Sequence, residues 1–145
     1  YTSNILEHII RKSKLSQQQV ENAVENQIIN GTLFLFNTEY QIAAFQTRKD
    51  IKFVIARNLT TVSKNMFNGC SNLELVFMPN LKTITDGNAV GQGGFSHTAL
   101  THLCFPQLIY VGCGAFLGCQ KLIAVDIPNC EQISDEAFLM CSSLQ

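Results

Sequence analysis

One pattern is written twice between residues 100 and 144: LTHLCFPQLIYVGCGAFLGCQKL from Leu100 to Leu122, then LIAVDIPNCEQISDEAFLMCSSL from Leu122 to Leu144. Ten positions agree without a gap, and the step from Leu100 to Leu122 sets the period. A fixed period in the twenties, with Leu, Val or Ile at spacings of three and two, is typical of a solenoid in which each repeat forms one coil.

The residue types within one repeat predict a short strand followed by a turn. In the strand, Val125 and Ile127 point to one side, so we expect them to face the core while Ala124 and Asp126 face outward. Pro128 lacks an amide donor and is expected to end the strand.

The second half of the repeat is predicted to bend back and to drop a phenylalanine into the core from a short helical or 3₁₀ segment. A cysteine follows on the inner side, where a small thiol packs well against its copy in the next coil. The residues that this pattern assigns to the structural core are Phe67, Cys70, Phe95, Phe116, Cys119, Phe138 and Cys141. Phe116 and Phe138 are both expected to be nearly fully buried.

The spacing L-x-x-[VL]-x-[IF]-P followed by [IV]-x-x-x-A-F-x-x-C-x-x-L resembles the BspA-like leucine-rich repeats, also called treponemal-type repeats. The segments that carry the resemblance most strongly are GAFLGC at residues 114–119 and EAFLMC at residues 136–141. The resemblance implies an α/β repeat fold, a right-handed leucine-rich-repeat solenoid with short parallel strands. It also implies adhesion or recognition of host or matrix proteins, as in bacteria and parasitic protists. Such proteins are at the cell surface or secreted, and the cytoplasm is the alternative location.

The sequence predicts four coils, preceded by a small helical segment. The coils comprise residues 51–73, 74–100, 101–122 and 123–144 of a solenoid spanning 51–145, and residues 1–50 form an N-terminal cap or small subdomain. The first coil is counted as one residue longer than the later coils, with the extra residue near Asn58. Its Phe53 and Ile55 are assigned to the core, and Ala56 replaces the proline of later coils.

The second coil carries an insertion of six residues, and the segment 86–94 is rich in glycine. Insertions in solenoids map to loops, which are often binding elements, and a plain surface loop is the alternative. The segment is not a phosphate-binding loop, because no Lys-Ser or Lys-Thr follows it.

The N-terminal 3–30 stretch is predicted to form two short helices. Ser16 and Gln19 form a capping box for the second helix, and Asn30-Gly31 is expected to end it. A hairpin made of residues 33–36 and 40–45 would complete a helix-turn-helix module of the winged type. The alternative is that Ala44-Phe45 belongs to a degenerate repeat.

Composition and charge exclude several functions. The formal net charge is −1, and the second helix carries Glu21 and Glu25 without a basic residue, so no nucleic-acid partner is predicted. No apolar run approaches the roughly 18 residues of a membrane span. No C-x-x-C pair occurs, so no metal site or cofactor is predicted, and the six cysteines are expected to be free buried thiols.

The outward-facing side chains of the strands form the candidate binding face, because partners of solenoid proteins bind to this surface. The residues assigned to the face are Lys52, Val54, Leu75, Phe77, His102, Cys104 and Asp126, with Ala124 beside them. Val54, Leu75 and Phe77 would form an apolar patch, which marks a contact site unless another part of the chain covers it.

The predicted function is a protein-interaction or adhesion module without catalytic activity, whose protein partner binds the strand face. Two alternatives remain: an enzyme that uses a His102, Cys104 and Asp126 cluster, and an intracellular regulator with the helix-turn-helix head. The apolar edge of the last coil is also expected to be uncovered, so it would either continue into further coils or associate edge to edge with another molecule.

Overall fold

A computed structural model describes residues 4–87 and 92–144 of the chain. Two helices precede ten short strands along the chain. Their bounds are α1 Ile5–Ser13, α2 Gln17–Asn22, β1 Gln27–Ile29, β2 Thr32–Phe34, β3 Phe53–Ile55, β4 Thr61–Val62, β5 Leu75–Phe77, β6 Thr83–Ile84, β7 His102–Cys104, β8 Tyr110–Val111, β9 Ala124–Asp126 and β10 Gln132–Ile133.

Each coil contributes one strand to each of two sides of the solenoid. On the first side β2, β3 and β5 pair in parallel, and β7 pairs in parallel with β9. The amide of Thr101 donates to the carbonyl of Glu74 at 3.2 Å and connects the two sets. On the second side β4, β6, β8 and β10 form a parallel sheet. This arrangement confirms the predicted α/β solenoid of parallel strands.

A column of stacked phenylalanine rings runs through the core. The rings of Phe45, Phe67, Phe95, Phe116 and Phe138 lie 5.2–5.6 Å apart between centroids, with interplanar angles of 3–17°. Such near-parallel contacts contribute about 0.5–1.5 kcal/mol each beyond the burial of apolar area. The repeat period therefore places identical side chains directly above one another.

The cysteines of the repeat act as hydrogen-bond donors within this core. The Sγ atoms of Cys70, Cys119 and Cys141 donate to the carbonyl oxygens of Phe45, Phe95 and Phe116, each one coil back, at 3.0–3.2 Å. The thiol thus satisfies a carbonyl of the preceding coil and still packs as a small apolar group. All six cysteines are thiols outside any disulfide bond.

Burial at the last coil differs from the prediction. Phe116 is 1% exposed, whereas Phe138 and Cys141 are only partly buried. Cys104, Cys113 and Cys130 are also partly exposed, so the expectation that every thiol is buried was wrong. Phe138 and Cys141 have a neighbouring coil on one side only, which accounts for their exposure.

The N-terminal region differs from the predicted hairpin and helix end. The capping box is confirmed: Ser16 Oγ accepts from the Gln19 amide at 3.0 Å, and Gln19 Oε1 accepts from the Ser16 amide at 2.8 Å. However, α2 ends at Asn22, and Asn30-Gly31 forms the turn between antiparallel β1 and β2, with φ of 50° and 78°. Asn-Gly favours such two-residue hairpin turns, and β-branched Ile28 and Ile29 favour a strand.

The coil stack begins before residue 51. Strand β2 pairs in parallel with β3, and Phe45 stacks on Phe67, so residues 32–50 form an incomplete coil that has lost the leucine-rich pattern. The hairpin was predicted in the wrong place because residues 40–45 belong to the turn of this incomplete coil and not to a strand.

Candidate protein-binding face

The outer side of the first sheet presents two columns of side chains. Strand pairing aligns Phe53 with Leu75 and Ile55 with Phe77, and further along it aligns His102 with Ala124 and Cys104 with Asp126. These are the positions that alternate with the core residues of each strand.

The predicted register of the first coil was wrong by one residue. Val54 is fully buried in the core, and Lys52 is exposed in the loop before β3, so neither belongs to the outer columns. Phe53 and Ile55, which were assigned to the core, face outward instead. Ala56 occupies a core position, and Arg57 takes the place of the proline.

This error has a physical cause. The step from Ile51 to Leu73 has the same length as the step from Leu100 to Leu122, so the first coil contains no extra residue. A slip of one residue exchanges the two faces of a strand. Strand β3 consists of Phe, Val and Ile, so hydrophobic alternation could not reveal the slip. The apolar residue that begins each coil, Ile51 in the first coil and Leu73 in the second, was the signal that could have revealed the correct register.

Helix α1 covers the first half of the outer face. Ile5 and Ile9 are 2% and 0% exposed, and they join Phe53, Ile55 and Leu75 in a second apolar cluster. Lys12 Nζ lies 3.2 Å from Glu74 Oε2, at the edge of this cover. The apolar patch predicted around Leu75 is therefore a helix-docking surface inside the molecule.

The helices of this region pack on the sheet and do not form a separate module. Val20 and Ala23, from α2 and its C-terminal end, belong to the same cluster as Ile5 and Ile9, so the apolar sides of both helices face the solenoid. This position accounts for the apolar stripe without a helix-turn-helix role.

The second half of the face is more exposed. His102, Cys104, Ala124 and Asp126 are all partly buried, as is Phe77 at the boundary with the covered half. The guanidinium of Arg57 lies 5.3 Å from the centroid of the Phe77 ring, a cation–π contact. Phe77 and Cys104 also pack against the apolar cluster beneath α1, so this surface continues the helix-docking surface.

The sequence-predicted cluster of His102, Cys104 and Asp126 is brought together on two neighbouring strands. Cys104 Sγ donates to Asp126 Oδ2 at 3.9 Å, and His102 Nδ1 lies 3.0 Å from Thr101 Oγ1. A cysteine nucleophile is activated by a base such as an imidazole, so these three side chains include the residue types that the enzyme alternative requires.

Helix α1 also influences the charge state of this surface. Burial lowers the pKa of His102, and electrostatic interactions with His8 and Lys12 on α1 lower it further. The imidazole is therefore largely neutral at pH 7, and Asp126 is the acidic group of the two strands.

The root of the glycine-rich insertion is firmly held on the second side of the solenoid. Asp86 Oδ1 accepts from the Tyr110 hydroxyl at 2.6 Å and from the Cys113 amide at 2.9 Å, and Tyr110 Oη lies 2.9 Å from Ser134 Oγ. The Gly87 amide donates to the Cys113 carbonyl at 2.7 Å. A Cβ atom on Gly87 would clash with the Gln92 carbonyl oxygen, so glycine is required there. Residues 88–91 of the predicted loop lie outside the described residues.

Within residues 4–87 and 92–144, no group of three or more His, Cys, Asp or Glu side chains is arranged to hold a metal ion. In the same ranges no helix has the length and apolar character needed to cross a bilayer.

The fold and the stacked repeats define a leucine-rich-repeat solenoid, a class that typically serves as a non-enzymatic scaffold for protein interactions. The chain belongs to the BspA-type leucine-rich repeat family, because the model of the BspA type leucine rich repeat region matches residues 38–145 with six copies. This match confirms the resemblance seen in the sequence. No curated protein and no solved structure gave a match.

Proposed function

We propose that this protein is a recognition module that binds a protein partner on the outer strand face, at the part formed by β7 and β9. The single observation that carries the proposal is that one half of this face is covered by the chain itself and the other half is not. Helix α1 covers the strands of the earlier coils, while Phe77, His102, Cys104, Ala124 and Asp126 stay partly exposed. A cluster of apolar and polar side chains beside a buried apolar surface has the composition of a contact site.

The other residues of the predicted site have different roles in this proposal. Leu75 anchors α1, and Val54 supports the strand from the core side. Lys52 lies at the margin, in the exposed loop that leads into β3. The contact surface is thus shifted toward the C-terminal coils.

Family membership supports the finer proposal that the partner is a surface or matrix protein and that the role is adhesion or recognition at a cell surface. The formal net charge of −1 agrees better with a protein partner than with a nucleic acid.

Site-specific photocrosslinking tests the proposal. A photoreactive amino acid at Ala124 should crosslink a discrete protein from cells and culture medium of the source organism, whereas the same group at Gln132, on the second side of the solenoid, should not. Excess unlabelled wild-type protein should compete, and the Ala124→Trp variant should not. Equal crosslinking from both positions would overturn the proposal.

The edge of the last coil supports a second candidate interaction, association with another copy of this chain. Ile133 and Met140 are 52% and 61% exposed there. Within the described residues no backbone carbonyl accepts from the amides of Phe138 and Met140, whose counterparts Phe116 and Gly118 donate to the next coil at 2.8 and 2.9 Å. Exposed apolar side chains together with unpaired edge amides are typical of an edge that pairs.

Sedimentation analysis tests this second interaction. The wild-type protein should show concentration-dependent association that Ile133→Lys abolishes and Gln132→Lys leaves intact. A wild-type monomer at millimolar concentration would contradict it.

A further inference from the structure

The exposed part of the strand face is one helix wide. Neighbouring strands of a sheet lie about 4.8 Å apart, so two strands present a surface about 10 Å across. A helix with its side chains is about 10–12 Å in diameter. Helix α1 packs mainly on β3 and β5, and the next two strands, β7 and β9, provide the same width again.

We infer that this surface binds an amphipathic helix of a partner protein, which lies beside α1 across β7 and β9. The inference rests on the proposed function and specifies the class of partner. Helix α1 is the intramolecular precedent, because its Ile5 and Ile9 show that the outer columns of this sheet accept the apolar stripe of a helix.

The floor of the surface has the shape and chemistry for such a stripe. Phe77 and Cys104 already belong to the partly buried edge of the cluster beneath α1, so a second helix would extend an existing apolar interface. Ala124 has the smallest side chain of the surface and leaves room for a large apolar residue of the partner. His102, largely neutral because burial lowers its pKa, adds a polar side chain without a full charge.

The charges on the two sides of the surface differ in sign. On the α1 side is Lys12, which lies close enough to His102 to lower its pKa; the Lys12 ammonium is 3.2 Å from Glu74 Oε2, and the Lys12 side chain stays 52% exposed. On the far side is the carboxylate of Asp126, on the outermost strand β9. The complementary helix therefore carries acidic residues along one flank of its apolar stripe and basic residues along the other. The bound helix can run in either direction along the surface. The inference therefore requires one acidic and one basic flank, but it does not fix which side of the apolar stripe is acidic.

Designed peptides provide the probe. We would prepare a helix of about 18 residues with a leucine stripe flanked by Glu on one side and Lys on the other, following the usual helical spacing. A second helix would carry Glu on both flanks. A third peptide would have the composition of the first but two central prolines, which prevent a helix. Binding is measured by fluorescence anisotropy at low salt.

The mixed-flank helix should bind at least about tenfold more tightly than the proline peptide, a difference of about 1.4 kcal/mol. Ala124→Trp, which fills the surface, should weaken binding by at least about tenfold, and Gln132→Trp should leave it unchanged. Asp126→Lys should shift the preference toward the peptide with Glu on both flanks. A thermal unfolding midpoint equal to that of the wild type verifies that each variant is folded.

Equal binding of the helical and proline peptides, no binding of either, or binding that is insensitive to Ala124→Trp would each overturn the inference. Failure of the proposed function is distinguishable, since it appears as the absence of a crosslinked protein from Ala124. A crosslinked partner that contacts Ala124 through an extended segment would refute the helical partner and leave the protein-binding face in place.

Discussion

The first and last coils of the described solenoid have different surfaces. At the N-terminal end, where α1, α2 and β1 come before the first coil, the core positions Leu33 and Leu35 are 5% and 1% exposed. At the C-terminal end the equivalent residues Val125 and Ile127 are only partly buried.

A specific cap accounts for the buried end. Strand β1 pairs with the edge of β2, and the ring of Tyr40 meets Phe45 edge-on at 5.5 Å, which ends the column of stacked rings. The Tyr40 hydroxyl accepts from the amides of Phe36 and Asn37, both at 3.1 Å, and donates to Asn26 Oδ1 at 3.0 Å. The comparison teaches that the repeat builds the stack, but that non-repeat residues must end it, as expected for a solenoid.

The largest effect on stability should come from truncating phenylalanines of the stacked column, and its size should depend on how deeply each ring is buried. Phe116→Ala removes a buried ring with neighbours on both sides and should lower the free energy of unfolding by about 3–5 kcal/mol. Phe138→Ala removes a partly exposed ring with one neighbour, and about 1–2 kcal/mol is expected because less area is lost. Denaturant unfolding of both variants measures the difference. Equal losses would mean that the C-terminal coil is covered as well as the middle ones.

Alkaline pH should weaken the middle coils through Cys119. Burial raises the pKa of this thiol from its ordinary 9.0 to about 11. The folded chain therefore holds the proton to higher pH than the unfolded chain. The contribution to stability is complete below about pH 9 and is lost by about pH 11, a decrease of about 2–3 kcal/mol.

The control for this titration is Cys119→Ala, since other groups also ionise in that range. The stability difference between the wild type and Cys119→Ala should shrink between pH 8 and pH 11, as measured by urea unfolding at each pH. A constant difference would show that the thiol does not titrate with folding. Cys141, whose pKa burial also raises, is more exposed, and Cys141→Ala should show a smaller change.

The N-terminal cap should be measurably weaker without the Tyr40 hydroxyl. Tyr40→Phe keeps the edge-on ring and removes its hydrogen bonds, so we expect a loss of about 1 kcal/mol. Tyr110→Phe is the matched control, because its ring is partly buried like that of Tyr40 while its hydroxyl bonds Asp86 and Ser134 outside the cap, and a loss of similar size is expected. Thermal unfolding compares them, and a larger effect at Tyr110 would shift the stabilising role to the root of the insertion.

The smallest effect concerns the ion pair at the edge of α1. Lys12 and Glu74 have side chains that are 52% and 40% exposed, so Lys12→Ala should cost only about 0.2–1 kcal/mol. A double-mutant cycle with Glu74→Ala isolates the pair, and the coupling should vanish in high salt. A coupling energy well above this range would mean that charge, and not the burial of Ile5 and Ile9, holds α1 on the sheet.

Several features of the candidate site could be read from the sequence. His102, Cys104, Ala124 and Asp126 were placed on one face because their strands alternate clearly between core and surface residues. Phe53 and Ile55 could not be placed in the same way, since every residue of β3 is apolar and both of its faces are buried. Hydrophobic alternation carries information only where one face of a strand meets water.

The sequence by itself determined the repeat, and with it the stacked coils, the phenylalanine column and the family. A solenoid is built from contacts between neighbouring copies, so a local pattern that recurs at one short, fixed period contains nearly all of the required information. Only the tertiary structure decided that α1 covers β3 and β5, that residues 32–50 form an incomplete coil, and which residues remain accessible. These outcomes depend on contacts between segments that share no pattern, and the sequence shows only that each has an apolar side to bury.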